Sequence, residues 1–278
     1  MPRRSVLFSP ADQGDKLEGA LRSAADAVVF DLEDGVAPDD KPSARETIVE
    51  ILSTTDSAPV EVLIRLNPIG AGGRDDISVL QDVAGGTVPD GFVLPKVDGR
   101  STVHHFRGRI RDAGFDADLW CLLESPAGVL AASEIASARG VSAVVFGGED
   151  YMAAVGGQRT ESSLELLYAR QRTVAAASAA GIDAIDGITT AIDDTDRVTA
   201  EATEAATFGF DGKLAIHPAQ LDPINEAFAP SDEEVAWATR VLDAVESSDS
   251  GVLRVDGEMI DAPLIKRAEQ ILDATDRT

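Results

Sequence analysis

Short apolar runs recur along the chain, each followed by a stretch of mixed polarity long enough for a helix. Runs such as Val28-Val29-Phe30 and Val144-Val145-Phe146 are apolar at successive positions. Half-exposed strands alternate, whereas strands of a parallel sheet are covered on both faces and read as continuous apolar runs. The pattern predicts strands at 5–9, 27–32, 61–66, 91–97, 119–124, 143–147, 184–188 and 213–217. Eight such strands, each with room for a helix behind it, predict an α/β fold closed as a (β/α)8 TIM barrel.

The intervening segments carry ordinary helix signals. Leu17, Ala20, Leu21 and Ala24 form one apolar stripe after the first strand. Ser162 is expected to open a helix through Ala180, with Gly181 where a C-terminal glycine belongs. A further helix is expected at 195–207. Ser231 and Glu234 form a capping-box pattern leading a helix through Glu246. The pattern then changes. Residues 247–251 read as a small polar linker, and 252–260 as a hairpin turning at Asp256-Gly257. Asp261 then precedes Pro263 and a helix through Leu272. The expected organisation is a catalytic barrel over 1–230 and a C-terminal helix with a hairpin-helix arm over 231–278. Such an arm could cover its own barrel mouth or reach a neighbouring subunit.

Composition narrows the partners. The 278 residues are close to the ~250 usual for this barrel. There are 49 acidic residues against 24 basic ones, a net charge of −25, and only five lysines. Nucleic acid and anionic membrane are therefore poor partners. The acids are scattered, which predicts a strongly hydrated, halophilic surface suited to a salt-rich cytoplasm. The single cysteine, Cys121, lies in an expected core strand, so no internal disulfide forms and its thiol reads as packing. Residues 1–10 lack the apolar run of a signal peptide. No segment approaches the ~18 apolar residues of a membrane span, so a cytoplasmic location is expected.

Candidate chemistry gathers at the expected carboxyl ends of the strands, the face where barrel enzymes carry their sites. Glu124 and Asp150 each close an apolar run, 119–124 and 143–150. Two acids from neighbouring strands suit a hard divalent cation, which takes a few carboxylates with water and substrate oxygens. Asp31, Glu33 and Asp34 end the second strand, Arg65 and Asn67 the third, and Lys96 the fourth. Buried charges pair or bind a metal. Asp31 and Lys96 fit an ion-pair network closing the barrel mouth as well as they fit a site. Gly147-Gly148 before Glu149 serves a tight turn, or aims backbone N–H groups at a substrate carboxylate. His217 contacts a ligand or caps its strand, and His104-His105 reads as surface. Asp261 alone reads as a helix N-cap before Ala262-Pro263. Zinc spacing and a GxSxG elbow are both absent.

With these residues the chain resembles the citrate lyase β-subunit-like branch of the HpcH/HpaI aldolases, which includes malyl-CoA, β-methylmalyl-CoA and citramalyl-CoA lyases. The resemblance rests on Arg4-Ser5-Val6-Leu7-Phe8, on 31–38 (DLEDGVAP) with Lys41-Pro42, and on Ile64-Arg65-Leu66-Asn67 and Leu94-Pro95-Lys96. It continues through 123–128 (LESPAG), Gly147-Gly148-Glu149-Asp150, 211–218 (DGKLAIHP) and 259–263 (MIDAP). The resemblance implies Glu124 and Asp150 as ligands of Mg²⁺, or of Mn²⁺ in its place. It implies Arg65 as the group that binds the thioester carbonyl and steadies its enolate. Glu33, Asp34, Lys96, Gly148 and Glu149 then lie near the substrate. Lys213, His217 and Pro218 fall in the stretch against coenzyme A, and Asp261 on a tail acid/base that works in an adjacent subunit of a trimer or hexamer. The implied reaction splits a 3-hydroxyacyl-CoA, malyl-CoA or β-methylmalyl-CoA, into glyoxylate and acetyl-CoA or propionyl-CoA by a retro-Claisen route. Alternatives are a malyl-CoA thioesterase, a malate-synthase-like enzyme, and a citryl-ACP or citramalyl-CoA lyase. One departure is Phe8-Ser9-Pro10-Ala11, where many relatives have glycine in place of Ala11.

Overall fold

The computed structural model describes residues 3–160, 162–247 and 253–275. The chain divides into two compact units, residues 3–224 and the segment from Asn225 onward. In the first, eight parallel strands close a barrel in sequence order: β1 (Ser5–Pro10), β2 (Ala27–Asp31), β3 (Glu61–Arg65), β4 (Gly91–Leu94), β5 (Asp118–Leu123), β6 (Val141–Phe146), β7 (Asp183–Asp186) and β8 (Gly212–Ala215). All eight expected strands are present, though several end earlier than their apolar runs do.

Closure gives each strand an inner and an outer face, two residues apart. Val6, Ala27, Val29, Leu63, Val93, Trp120, Leu122, Ala143, Val145, Ile185 and Leu214 fill the interior. The alternate positions, such as Val28 and Phe30, are equally buried beneath the helices. That double burial is why these strands read as continuous apolar runs. The inner register also aims the chemistry. Asp31 follows Val29, Arg65 follows Leu63 and Glu124 follows Leu122 at the inward spacing.

The amino-terminal end of the barrel is closed by an ion cluster that sequence reading missed. The Arg3 guanidinium lies 2.7 Å from Glu61, 2.9 Å from Asp183 and 3.3 Å from Asp118, and stacks 4.7 Å over the Trp120 ring. These residues open three different strands, so their convergence depends on closure. Charges at that face of a barrel serve stability.

In the second unit, the helix Asp232–Glu246 packs with the helix Ala262–Thr275 and with a hairpin of β9 (Leu253–Val255) and β10 (Glu258–Ile260). Its core includes Ala238, Val241, Val255, Ile260 and Ala268. The Ser231–Glu234 capping box forms as expected. Asp256 and Gly257 both have positive φ, the requirement of a two-residue hairpin turn. Apart from Ser247, the expected linker lies outside the described residues. Among the described residues, no helix is long and apolar enough to cross a membrane.

Candidate active site

Asp31 and Arg65 are register partners on adjacent strands and point the same way. They form a two-pronged ion pair, Nε to Oδ1 at 2.7 Å and Nη2 to Oδ2 at 2.6 Å. Asp31 is fixed in turn by the backbone N–H groups of Glu33 (2.8 Å) and Gly35 (2.9 Å), which donate to it. A Cβ at Gly35 would lie 2.4 Å from Asp31 Oδ2, so this close approach needs glycine. Arg65 also sits 5.1 Å over the Phe8 ring. Asp31 spends two of the five guanidinium N–H groups, and the rest are left for the cavity and Glu33.

Glu124 is 3% exposed and follows β5 directly. Its Oε1 accepts the Lys96 backbone N–H at 2.5 Å. That donor is aimed by Lys96's positive φ of 50°, uncommon for a residue with a side chain. Burial pushes the Glu124 carboxyl above its ordinary pKa, against the pull of the Lys96 N–H. Burial likewise raises Glu33 to about 7, with Arg65 opposing and the charges of Glu124 and Asp34 adding. Glu33 Oε2 lies 3.1 Å from Arg65 Nη1 but outside hydrogen-bonding geometry, which leaves a buried carboxylate oxygen without a donor.

Asp150 corrects the expectation in one respect. β6 stops at Phe146, and Asp150 lies in the first turn of the helix Gly148–Val155 rather than closing a strand. A carboxylate is favoured at a helix N-terminus. Gly147 lets Glu124 through: a Cβ there would meet Glu124 Cβ at 2.4 Å. Gly147→Ala is therefore expected to displace Glu124. A shift of about 1 Å costs on the order of 10²-fold in rate, and overpacking costs about 1–3 kcal/mol. Steady-state kinetics with a melting curve checks both.

The Lys96 ammonium stands among four carboxylates: Asp150 at 3.4 Å, Glu33 at 3.5 Å, Asp34 at 3.8 Å and Glu124 at 3.9 Å. Burial alone would lower this ammonium's pKa, but the charges of Glu124, Glu33, Asp150 and Asp34 outweigh it and hold it above the usual lysine value. Both sequence readings of Asp31 and Lys96 thus have a basis, because an ion network exists but does not close the mouth. A cavity of about 330 Å³ opens beside it, lined by Arg65, Glu124, Gly148, Asp150 and the apolar Phe8 and Ile188. That volume falls within the ~300–1,000 Å³ of small-molecule sites.

Glu149 lines the same cavity while pairing with Arg159. Other expected residues are placed differently. Lys213 spends its charge on partners inside the barrel. It is 2% exposed, and its ammonium donates to the Gly187 carbonyl (2.6 Å) and to Asp186 (3.3 Å), its register partner on β7. His217 is exposed and caps a short 3₁₀ turn, its Nδ1 accepting the Ala219 N–H at 3.2 Å, with Pro218 exposed beside it. His104 and His105 are exposed on a helix. Asp261 lies in the second unit between β10 and the last helix, its carbonyl accepting the N–H groups of Leu264 and Ile265. Cys121 is fully buried, which raises its thiol pKa and leaves it inert. Sequence reading missed Asp76, which accepts the backbone and side-chain N–H groups of Asn67 at 2.7 and 2.8 Å and so braces the loop after β3.

The donor set fits a divalent cation. Among the described residues, no three acidic, histidine or cysteine side chains converge as a metal cage. Glu124 and Asp150 supply two carboxylates, and water and substrate would complete the shell, the arrangement Mg²⁺ favours. Five carboxylates face two cations here, an excess of negative charge that a dication would relieve.

Residues 4–218 match the family model for the HpcH/HpaI aldolase/citrate lyase family. The chain is 33% identical over 290 residues to the mitochondrial citramalyl-CoA lyase of Homo sapiens, covering 97% of this chain and 84% of that one. It is 35% identical over 275 residues to the (3S)-malyl-CoA thioesterase of Cereibacter sphaeroides, covering 98% and 94%. Protein CitE of Mycobacterium tuberculosis, solved in complex with magnesium, acetoacetate and coenzyme A, is 32% identical. It superimposes with a TM-score of 0.83 over 99% of this chain and 98% of that one.

Proposed function

We infer that this chain, which belongs to the HpcH/HpaI aldolase/citrate lyase family, is a Mg²⁺-dependent carbon–carbon lyase acting on coenzyme A thioesters. The observation that carries this reading is one cavity lined by Glu124, Asp150 and a guanidinium locked in place by Asp31. The substrate we propose is a 3-hydroxyacyl-CoA, malyl-CoA or β-methylmalyl-CoA. Glu124 and Asp150 would hold the metal ion, which when bound supplies Lewis acidity to the 2-oxo acid half of the substrate.

The remaining work falls to the chain's own groups. A general base takes the proton of the C3 hydroxyl, the C2–C3 bond breaks, and C3 becomes the aldehyde carbonyl of glyoxylate. The bonding electrons pass to C2 and delocalise onto the thioester oxygen as an enolate. Arg65 lines the cavity with its guanidinium already fixed by Asp31, so it would meet that oxygen with little reorganisation as charge develops. An acid then delivers a proton to C2, giving acetyl-CoA or propionyl-CoA. Asp261 of a neighbouring subunit is the proposed donor, in a trimer or hexamer. Asp261→Asn is expected to lower kcat by ~10²–10⁴-fold with little change in Tm. A variant that loses only the ~0.5–2 kcal/mol of a helix cap, at full rate, would leave the residue a cap.

A thioesterase is the second reading, favoured by the 35% identity to the Cereibacter enzyme. A panel of CoA thioesters with Mg²⁺ at high KCl separates the two. Glyoxylate and acyl-CoA without free thiol are expected. Free CoA with malate would support hydrolysis, and no turnover of any thioester would overturn both.

A further inference from the structure

We propose that Lys96 is a tethered counter-ion that occupies the cation site between metal-binding events, and that a divalent ion enters by displacing its ammonium. This rests on the reading that Glu124 and Asp150 take the metal.

The argument begins with charge. Arg65 pairs with Asp31 and also stands 3.1 Å from Glu33, so Asp34, Glu124 and Asp150 depend on the single charge of Lys96, which also lies near Glu33. The distances say how that charge is held. Arg65 grips Asp31 at 2.6–2.7 Å, whereas the Lys96 ammonium stands 3.4–3.9 Å from all four of its carboxylates. Charge-assisted hydrogen bonds close to about 2.7–2.9 Å, so the lysine is held by the summed field rather than by one tight bond. Its side chain is 44% exposed, and a flexible, strongly hydrated stem leaves easily.

The backbone is fixed where the side chain is loose. The left-handed Lys96 conformation persists only where its surroundings impose it. It aims the N–H at Glu124 while the ammonium folds back over Glu124 and Asp150. The two positive charges compete for the same oxygens, so ammonium and dication exclude one another. Glu33 and Asp34, 3.5 and 3.8 Å from the ammonium, remain to receive it when it is displaced. A monovalent ion from solution brings no more charge than the tethered one, so the device favours divalent ions.

Lys96 therefore reduces apparent metal affinity and stabilises the metal-free site. Calorimetric titration of Lys96→Met with Mg²⁺ at fixed ionic strength is expected to show affinity raised about tenfold or more. Lys96→Arg keeps the charge and is expected to show no such gain. In EDTA the Met variant should melt below the wild type, and saturating Mg²⁺ should close the gap. In the unmodified protein, Mg²⁺ should raise amine labelling of Lys96 relative to the other four lysines, read by mass spectrometry. Wild-type Mg²⁺ binding with no gain in the Met variant and unchanged labelling would overturn the proposal. A wild type that binds no Mg²⁺ would overturn the metal reading itself.

Discussion

Glu124→Gln is expected to lower Mg²⁺-dependent turnover by at least ~10²–10³-fold while leaving the metal-free fold as stable as before. Glutamine keeps the shape and an oxygen to accept the Lys96 N–H, now 2.5 Å from Oε1. It removes the charge that Mg²⁺ needs. Burial disfavours that charge in the metal-free protein, as the raised carboxyl pKa indicates, so neutralising it relieves desolvation. The metal-free variant should melt at or above the wild-type temperature. The wild type should gain stability from Mg²⁺, about 2.7 kcal/mol at a hundredfold excess over Kd, and the variant should not. Parallel melts with Mg²⁺ and EDTA separate this from a structural role, which would lower both.

Arg65→Lys is expected to cut kcat by ~10²–10³-fold with a much smaller change in KM. The charge is conserved but the fork is not. Asp31 takes two parallel N–H bonds from the guanidinium, and the remaining N–H groups serve the cavity. One ammonium cannot do both, so lysine either pairs with Asp31 or reaches the substrate. If it leaves Asp31, a carboxylate 4% exposed is stranded, and breaking such a pair costs about 3–5 kcal/mol. Steady-state kinetics and denaturant melts on the same preparation read both losses.

The barrel was legible because burial on both faces writes itself into the sequence as unbroken apolar runs. Strand ends were less so. A strand stops where its neighbour's backbone partners stop, and the run of 143–146 carries no mark that Gly147 turns the chain into a helix before Asp150. Register was not legible at all. Arg65 and Asp31 are partners because β2 and β3 align those two positions. The same rule buries Lys213 against Asp186, although its motif pointed toward coenzyme A. Glu124 and Arg65 were legible as candidates because a charge ending a buried run has few innocent explanations. Lys96 could be identified but not interpreted, since its meaning lies in four carboxylates brought by three other segments.

The central claim is a divalent cation held between Glu124 and Asp150. Anomalous diffraction from crystals of the protein soaked in Mn²⁺ tests it most directly. One peak bridging the two carboxylates, with the Lys96 ammonium moved toward Glu33 and Asp34, is the expected result. A map with no peak there, and Lys96 still seated among its four carboxylates at saturating Mn²⁺, would contradict it.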